Sequence, residues 1–293
     1  MQANSRCWAC LFHKEEQTVR PFPDEKKKKE YLREVLKLLY DHGQTGSAPW
    51  LSMKIGEIYD RYFEKTTDYA AIKQKYNQYM LSKETIVEEN IRNSDDLIAS
   101  CIKYVCAGNF IDFGTGIKVD DSILEDLLQK AKTETVDEKE LKQLKNDLAT
   151  AKELVYLTDN CGEIVMDKLF IKILKEQYPH LHITAIVRGK PVINDATMED
   201  AKQVGLTDIV DCIGNGAAMP GTHISEISEE ARDLILNADV VIAKGQGNFE
   251  GLYGEKVNPY FLFLCKCELF VKRFGLKQFS SVFAKEDEIH IID

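Results

Sequence analysis

The middle of the chain contains polar residues whose types and spacing suit a site for a metal and an anion. The apolar run 154–157 is followed by Asp159 and Asn160, and Gly162 supplies a turn. Apolar residues then recur at spacings of three and four over 166–174, which is typical of one helix face. A strand, a polar turn and a helix begin a βαβ unit, and ligands in open α/β sheets bind outside the carboxyl ends of the strands.

Polar groups also follow two later strand-like runs. The run 183–187 leads into a basic, glycine-containing loop that ends in Asp195. The run 240–243 leads into Lys244 and a glycine-rich stretch that contains Asn248. Because parallel strands direct their carboxyl ends to the same edge of a sheet, we expect these side chains to lie near the first turn.

Asp159, Asn160 and Asp195 would form an all-oxygen set of two carboxylates and one amide. Such a set suits a hard divalent cation such as Mg²⁺ or Mn²⁺, whereas zinc prefers nitrogen and sulfur ligands. Three protein ligands leave positions for water and a substrate oxygen. Each residue alone is also common in turns and helix caps, so the prediction depends on their joint occurrence at neighbouring strand ends.

The remaining polar groups at this edge suit a phosphate. Backbone N–H groups after Gly162, at the start of a helix, favour an anion, and Gly245 and Gly247 let the backbone approach a ligand closely. Positive charge is available from four side chains: Arg188, Lys190, Lys244 and Lys266. The residues alone thus indicate metal-assisted chemistry on an anionic small molecule.

The elements that must position these groups change character near residue 150. Before residue 150 the pattern is helical. One predicted helix covers 50–65, another begins after a cap at Asp68, and further helices follow at 83–92, 94–106, 122–132 and 138–149. A glycine-containing loop at 107–114 interrupts them. Strand-like runs follow it at 154–157, 183–187, 209–212, 240–243, 281–283 and 289–291, alternating with helices at 164–176, 198–204, 229–237 and 259–274. The pattern predicts an α/β fold, with a helical domain at 1–150 packed on a mostly parallel sheet domain at 151–293.

The composition of the chain limits the kinds of binding partner that can be expected. A net charge of -10 argues against a nucleic-acid-binding protein, and no apolar run approaches the roughly 20 residues of a membrane helix. Residues 1–14 lack the apolar core of a signal peptide, so we predict a cytoplasmic location. The expected partner is the anionic small molecule that the residues at the strand ends indicate. The oligomeric state is left open.

The chain has eight cysteines and no sign of secretion, so reduced thiols are expected. Cys7 and Cys10 form one CxxC motif near the N-terminus. Two interpretations remain open: a packed turn anchored by Trp8, or half of a zinc site or a redox pair.

Several motifs resemble those of the domain-of-unknown-function 89 family, the damage-control phosphatases. They are DNCGE at 159–163, KGQGNFE at 244–250, LCKCE at 264–268, GNFID at 108–112 and the CxxC motif. Their ordered combination covers nearly the whole chain. The CxxC motif and the compact length resemble the stand-alone, CxxC-containing microbial subfamily.

This resemblance implies a Rossmann-like sheet domain and a metal-dependent phosphatase of metabolite damage control. The implied substrates are small phosphate monoesters: sugar phosphates, nucleotides or phosphopantetheine-type metabolites. The implied cofactor is a divalent metal, Mn²⁺, Co²⁺, Ni²⁺ or Mg²⁺, held by Asp159, Asn160 and Asp195. Asn248 and Lys266 resemble the family's substrate-binding asparagine and lysine.

The complete predicted site assigns catalysis to Asp159 and Lys266, and substrate binding to Gly162, Glu163, Lys244 and Asn248. Two mechanisms remain open: Asp159 attacks phosphorus itself, or it only holds the cation while water attacks. Three other functions are considered as well: a methyltransferase that uses S-adenosylmethionine, a non-catalytic metabolite-binding module, and thiol redox chemistry at the CxxC motif.

Overall fold

A six-stranded sheet forms the centre of the structure, a computed structural model that describes residues 1–64, 69–111 and 121–291. The strands are β1 Glu153–Leu157, β2 His182–Val187, β3 Asp211–Gly214, β4 Val240–Lys244, β5 Tyr260–Leu264 and β6 Ser281–Lys285. Their spatial order is β3-β2-β1-β4-β5-β6, and β6 alone of the six runs antiparallel to its neighbour. This is the strand order of Rossmann-like folds, so the predicted fold class is confirmed.

Seven described helices precede the sheet and five lie between its strands. The first group is α1 Ser5–Val19, α2 Glu25–His42, α3 Ala48–Tyr62, α4 Tyr69–Arg92, α5 Leu97–Gly108, α6 Asp121–Ala131 and α7 Glu138–Thr150. The second group is α8 Ile164–Gln177, α9 Met198–Gln203, α10 Glu229–Asn237, α11 Gly245–Leu252 and α12 Glu268–Phe274. Within the described ranges, none of these helices combines the length and apolar character needed to cross a membrane.

Helices cover both faces of the sheet, and α5 lies deep among them. Helices α4 to α9 share a core with one face, α10 to α12 share a core with the other, and α1 to α3 pack around Tyr31 in a smaller cluster. Nine of the twelve residues of α5 are buried. The helix ends at Gly108, and the next residue, Asn109, lies at the carboxyl edge of the sheet, where its side chain accepts the Leu264 N–H. The domain boundary near residue 150 stays a prediction.

The strand β5 corrects the prediction of one helix over 259–274. Its residues are fully buried between β4 and β6, and α12 begins only at Glu268. A strand buried on both faces carries apolar side chains throughout, so its sequence lacks the alternation that separates a strand from a buried helix. Lys266 consequently lies in the loop at the carboxyl end of β5 rather than on a helix.

Other element boundaries differ less. Strand β3 lies two residues after its predicted position, and residues 289–291 form no strand. Helix α4 is continuous where two helices were predicted, and Asp68, the predicted cap, lies outside the described residues. The predicted loop 107–114 begins inside α5, and its residues 112–114 also lie outside them. The glycine-rich stretch after β4 forms the helix α11, which was not among the predicted helices.

Candidate active site

Beyond the sheet, a short antiparallel bridge joins the chain after β1 to the chain after β2. Asn160 pairs with Asp195 there, and the Ala196 N–H donates to the Asp159 carbonyl at 2.8 Å. Gly162 follows with a φ of 74°, a left-handed conformation that glycine adopts without strain. The bridge brings Asp159, Asn160 and Asp195, the three predicted metal ligands, to one place at the carboxyl edge of the sheet.

Two amides hold Asp159 and Glu163 together. Asn160 Nδ2 donates to Asp159 Oδ2 at 2.7 Å and to Glu163 Oε2 at 3.2 Å. Asn109 Nδ2 donates to the same two oxygens at 3.0 and 2.8 Å. Through Oδ1, Asn109 also accepts the Leu264 N–H at 3.1 Å. One side chain from the end of α5 therefore connects the turn after β1 with the end of β5.

Lys244, predicted to bind substrate, lies beneath this pair. Its Nζ is 3.0 Å from Glu163 Oε1 and 2.8 Å from Asp167 Oδ1, and the Tyr156 hydroxyl donates to that Asp167 oxygen at 2.7 Å. Lys244, Glu163 and Asp167 are all fully buried. Burial raises the pKa of Asp167 to about 6, although Lys244 opposes the rise. For Lys244, burial lowers the pKa but the two carboxylates raise it by more. Lys244 is thus a buried cation that supports Glu163, and its geometry does not favour direct contact with a substrate.

Arg188 follows β2 and reaches two of the predicted metal ligands. Its Nε donates to Asp195 Oδ2 at 2.7 Å, and one terminal nitrogen donates to Asp159 Oδ1 at 3.2 Å. The other terminal nitrogen lies 3.4 Å from Asn248 Oδ1 and 3.5 Å from Thr222 Oγ1. Because Arg188 is only 1% exposed, its charge acts on these groups rather than on solvent.

The start of α11 approaches Asp159 from the β4 side. A Cβ built on Gly245 would lie 1.9 Å from Asp159 Oδ2, and Gly245 has a φ of 81°. Only glycine therefore lets the positive end of this helix come so close to the carboxylate. Asn248 Nδ2 donates to the backbone carbonyls of Thr158 and Lys244 at 3.1 and 2.7 Å. The side-chain oxygen of Asn248, Oδ1, therefore faces Arg188 at the centre of the site.

Lys266 approaches from the end of β5. Its backbone N–H donates to Gln246 Oε1 at 2.9 Å, and its carbonyl accepts from Gln278 Nε2 at 3.0 Å. The residue is 1% exposed, and its positive charge opposes the rise that burial causes in the pKa of Asp159. Lys266 thus supplies a buried positive charge close to the predicted metal ligands.

The centre of the site contains more carboxyl groups than cationic side chains. Burial raises the pKa of Asp159 well above its usual range, repulsion from neighbouring carboxylates adds to the rise, and Arg188 and Lys266 oppose it. Four buried carboxylates face three buried cationic groups: Asp159, Glu163, Asp167 and Asp195 against Arg188, Lys244 and Lys266. A divalent cation would offset this excess, and carboxylate and amide oxygens are its ordinary ligands. Among the described residues, no three His, Cys, Asp or Glu side chains are arranged to hold a metal by themselves, so the set depends on the Asn160 amide.

The backbone N–H groups at the start of α8 do not form the predicted anion cradle. The Gly162 N–H donates to Asn77 Oδ1 at 2.7 Å, and the Glu163 N–H donates to the Cys161 carbonyl at 2.9 Å. Both of these donors already have partners within the protein. A single glycine in this turn also gives little support to the methyltransferase hypothesis, which expects a glycine-rich turn after the first strand.

The sequence did not predict how Asn109 and Arg188 organise the site. From the sequence, Arg188 is only a source of charge, and Asn109 is only a member of the loop 107–114 and of the GNFID motif. Asn109 lies 50 residues before Asp159, and a polar residue at the end of a buried helix is an ambiguous signal without tertiary structure. Lys190, the other predicted charge after β2, is exposed.

The CxxC motif lies in α1 rather than in the predicted turn. Trp8 does anchor the segment, because its Nε1 donates to the Gly43 carbonyl at 3.1 Å. Burial raises the pKa of Cys7 to about 11, so Cys7 is a protonated thiol at neutral pH. Redox catalysis requires a thiolate with a lowered pKa, and the environment of Cys7 acts in the opposite direction.

The fold and the site together define an α/β protein with a carboxylate centre suited to a cation and a phosphate ester. The model of the damage-control phosphatase ARMT1-like domain matches residues 3–282, almost the whole chain. The chain therefore belongs to this family, which confirms the resemblance, and the enzyme is a hydrolase of the phosphatase class.

Individual relatives agree with this assignment. A damage-control phosphatase of Archaeoglobus fulgidus is 34% identical over 211 residues, which cover 71% of this chain and 72% of that protein. An uncharacterized protein of Methanocaldococcus jannaschii is 31% identical over 279 residues, covering 89% and 88%. The crystal structure of a DUF89 family protein from Pyrococcus horikoshii matches with a TM-score of 0.81 at 24% identity, covering 98% of this chain and 99% of that one. That structural likeness supports the fold.

Proposed function

We propose that this chain hydrolyses phosphate monoesters of small metabolites at a divalent cation held by Asp159, Asn160 and Asp195. The observation that carries the proposal is the bridge between Asn160 and Asp195, which gathers two carboxylates and an amide beside buried cationic side chains. The all-oxygen set favours Mg²⁺ or Mn²⁺ over softer metals. Sugar phosphates, nucleotides and phosphopantetheine-type metabolites are the proposed substrate classes.

When bound, the cation would stabilise the negative charge that spreads over the phosphoryl oxygens during transfer. Lys266 contributes the same kind of stabilisation from the end of β5, as a buried ammonium group close to Asp159. Asn248 is fixed by its bonds to two backbone carbonyls and supports the same region. A site enclosed in this way excludes bulk water, which strengthens each of these electrostatic contacts.

Asp159 is better placed to hold a cation than to attack phosphorus. Its Oδ2 already accepts hydrogen bonds from Asn109 and Asn160, while Oδ1 accepts one from Arg188. A carboxylate oxygen accepts about two such bonds, so Oδ1 retains a lone pair for a cation. Attack on phosphorus would use that same lone pair, so Asp159 cannot attack while its Oδ1 holds the cation. We therefore propose water as the nucleophile and Asp159 as a ligand.

Glu163 positions other groups rather than donating a proton. Its Oε1 accepts from Lys244, and its Oε2 accepts from Asn109 and Asn160. Both oxygens of this carboxylate are therefore already occupied by donors from the protein. Its proposed role is to orient the Asn160 amide toward the cation.

The experiment measures phosphate release from an aryl phosphate and from sugar phosphates, with Mn²⁺, Co²⁺, Ni²⁺ or Mg²⁺ added in turn. Asp195→Asn should reduce turnover at least a hundredfold and raise the metal concentration required. Asp239→Asn is the matched control, because Asp239 is an exposed aspartate that accepts from the Lys152 and Glu153 N–H groups at the opposite edge of the sheet. Metal-independent release, or full activity in Asp195→Asn, would refute the proposed site.

A further inference from the structure

The guanidinium group of Arg188 is divided between two carboxylates instead of pairing with one. Its Nε donates to Asp195 and a terminal nitrogen donates to Asp159. The rigid fork of an arginine usually binds both oxygens of a single carboxylate. Here the same fork fixes the spacing between the carboxyl groups of Asp159 and Asp195, the two acidic residues of the proposed metal site.

The backbone around Arg188 is held as firmly as its side chain. The Arg188 N–H donates to the Ala196 carbonyl at 2.8 Å, and Arg188 forms a parallel bridge with Thr197. The next residue, Gly189, packs so tightly that an added Cβ would lie 2.1 Å from the Gly216 nitrogen. The guanidinium group is therefore placed by the fold itself and does not depend on a bound ligand.

Arg188 acts through the carboxylates and not on the substrate. Each of its three side-chain nitrogens already donates to a protein group, and the residue is 1% exposed. We infer that Arg188 is a positioning residue that serves as the internal counter-ion of the metal-free site, and that it competes with the cation for Asp159 and Asp195. This inference rests on the proposed metal site.

The competition has two consequences of opposite sign. In the metal-free protein, Arg188 offsets the repulsion between two buried carboxylates and so stabilises the fold. In the metal-bound protein, the same positive charge lies next to the cation and weakens its binding. Removing Arg188 should therefore destabilise the metal-free state most, and the cation should recover more stability than it adds to the wild type. A residue that only shaped the ligand set would give the reverse, a weaker metal affinity.

The test uses Arg188→Gln, which removes the charge, and Arg188→Lys, which keeps the charge without the fork. Melting temperatures are measured by calorimetry in EDTA and over a series of MnCl2 concentrations, and titration calorimetry gives the Kd for Mn²⁺. We expect Arg188→Gln to melt below the wild type in EDTA and to bind Mn²⁺ at least tenfold more tightly, about 1.4 kcal/mol. Its Mn²⁺-induced rise in melting temperature should exceed that of the wild type, and Arg188→Lys should fall between the two.

Arg273→Gln is the matched control, because Arg273 is also buried but lies in α12. It should lower the melting temperature equally with and without Mn²⁺. An unchanged or weaker Kd in Arg188→Gln, or a Mn²⁺-induced rise no larger than that of the wild type, would overturn the inference. If Arg188→Gln does not fold even with Mn²⁺, the same comparison on Arg188→Lys decides.

The two proposals fail in different ways. If Mn²⁺ does not stabilise the wild type, or stabilises Asp195→Asn equally well, the proposed metal site is wrong and the inference falls with it. If Mn²⁺ stabilises the wild type but gives no larger rise in either Arg188 variant, the metal site stands and the counter-ion role is refuted.

Discussion

Replacing Lys244 with methionine should destabilise the protein more than the loss of an ordinary ion pair. Lys244 lies 3.0 Å from Glu163 and 2.8 Å from Asp167, and all three side chains are fully buried. Lys244→Met keeps most of the apolar chain but leaves two carboxylates without their cation. Breaking a buried pair in this way costs about 3–5 kcal/mol, against a total stability of about 5–15 kcal/mol.

The assay is urea unfolding at pH 7 in EDTA, so that no cation replaces the missing charge. Lys37→Met is the control, because Lys37 and Asp41 form an exposed pair on α2 at 2.5 Å. Such surface pairs contribute about 0–1 kcal/mol. The double variant Lys244→Met with Asp167→Asn should recover part of the loss, because one of the unpaired carboxylates is removed.

A loss in Lys244→Met no larger than in Lys37→Met would refute this reasoning. It would mean that Asp167 takes up a proton at little cost, or that water reaches the two carboxylates. Failure of the double variant to recover any stability would show that the loss comes from packing and not from unpaired charge.

Three further predictions concern the surroundings of the site. Gly245→Ala should abolish metal-dependent activity, because the new Cβ would overlap the Asp159 carboxylate. Gly254 also has a positive φ, 91°, but an added Cβ would meet open space. Gly254→Ala should therefore keep its activity and lose only about 1 kcal/mol of unfolding free energy. Asn109→Leu should lower kcat at least tenfold. It should also reduce stability by about 1–3 kcal/mol, since it leaves the buried Leu264 N–H without an acceptor. A change confined to KM would contradict the role of Asn109 in positioning Asp159 and Glu163. Cys7→Ser should retain phosphatase activity. In the wild type, iodoacetamide should modify Cys7 faster as the pH rises from 7 toward 11, because the raised pKa keeps the thiol protonated at neutral pH. Rapid modification of Cys7 at pH 7 would contradict the raised pKa.

The fold class and the order of most elements followed from the sequence. Strand-like runs alternating with helical patterns predict a parallel sheet, and the runs ending before Asp159 and Lys244 became β1 and β4. The main exception was β5, where a strand buried on both faces has the same continuous apolar pattern as a buried helix. Its misassignment placed Lys266 on a helix, although the residue lies at the end of a strand like the others.

The partners of each polar side chain could not be deduced in this way. Lys244 appears from the sequence to be a charge at the end of a strand, equivalent to Lys190. In the structure Lys244 is fully buried and Lys190 is exposed. Whether a lysine points into the core or into solvent depends on which residues of other elements lie beside it, and two of the partners here, Glu163 and Asp167, come from a different turn and helix.

The sequence by itself determined most of the residue types of the site: carboxylates, amides and cationic side chains placed at the ends of parallel strands. This was possible because parallel strands must present their carboxyl ends on one edge, whatever packs around them. Only the tertiary structure decided which groups meet. Asn109 reaches Asp159 because α5 is buried against the sheet, and Arg188 lies between Asp159 and Asp195 because the chains after β1 and β2 pair with each other. Such contacts depend on packing between distant segments, and no local pattern encodes them.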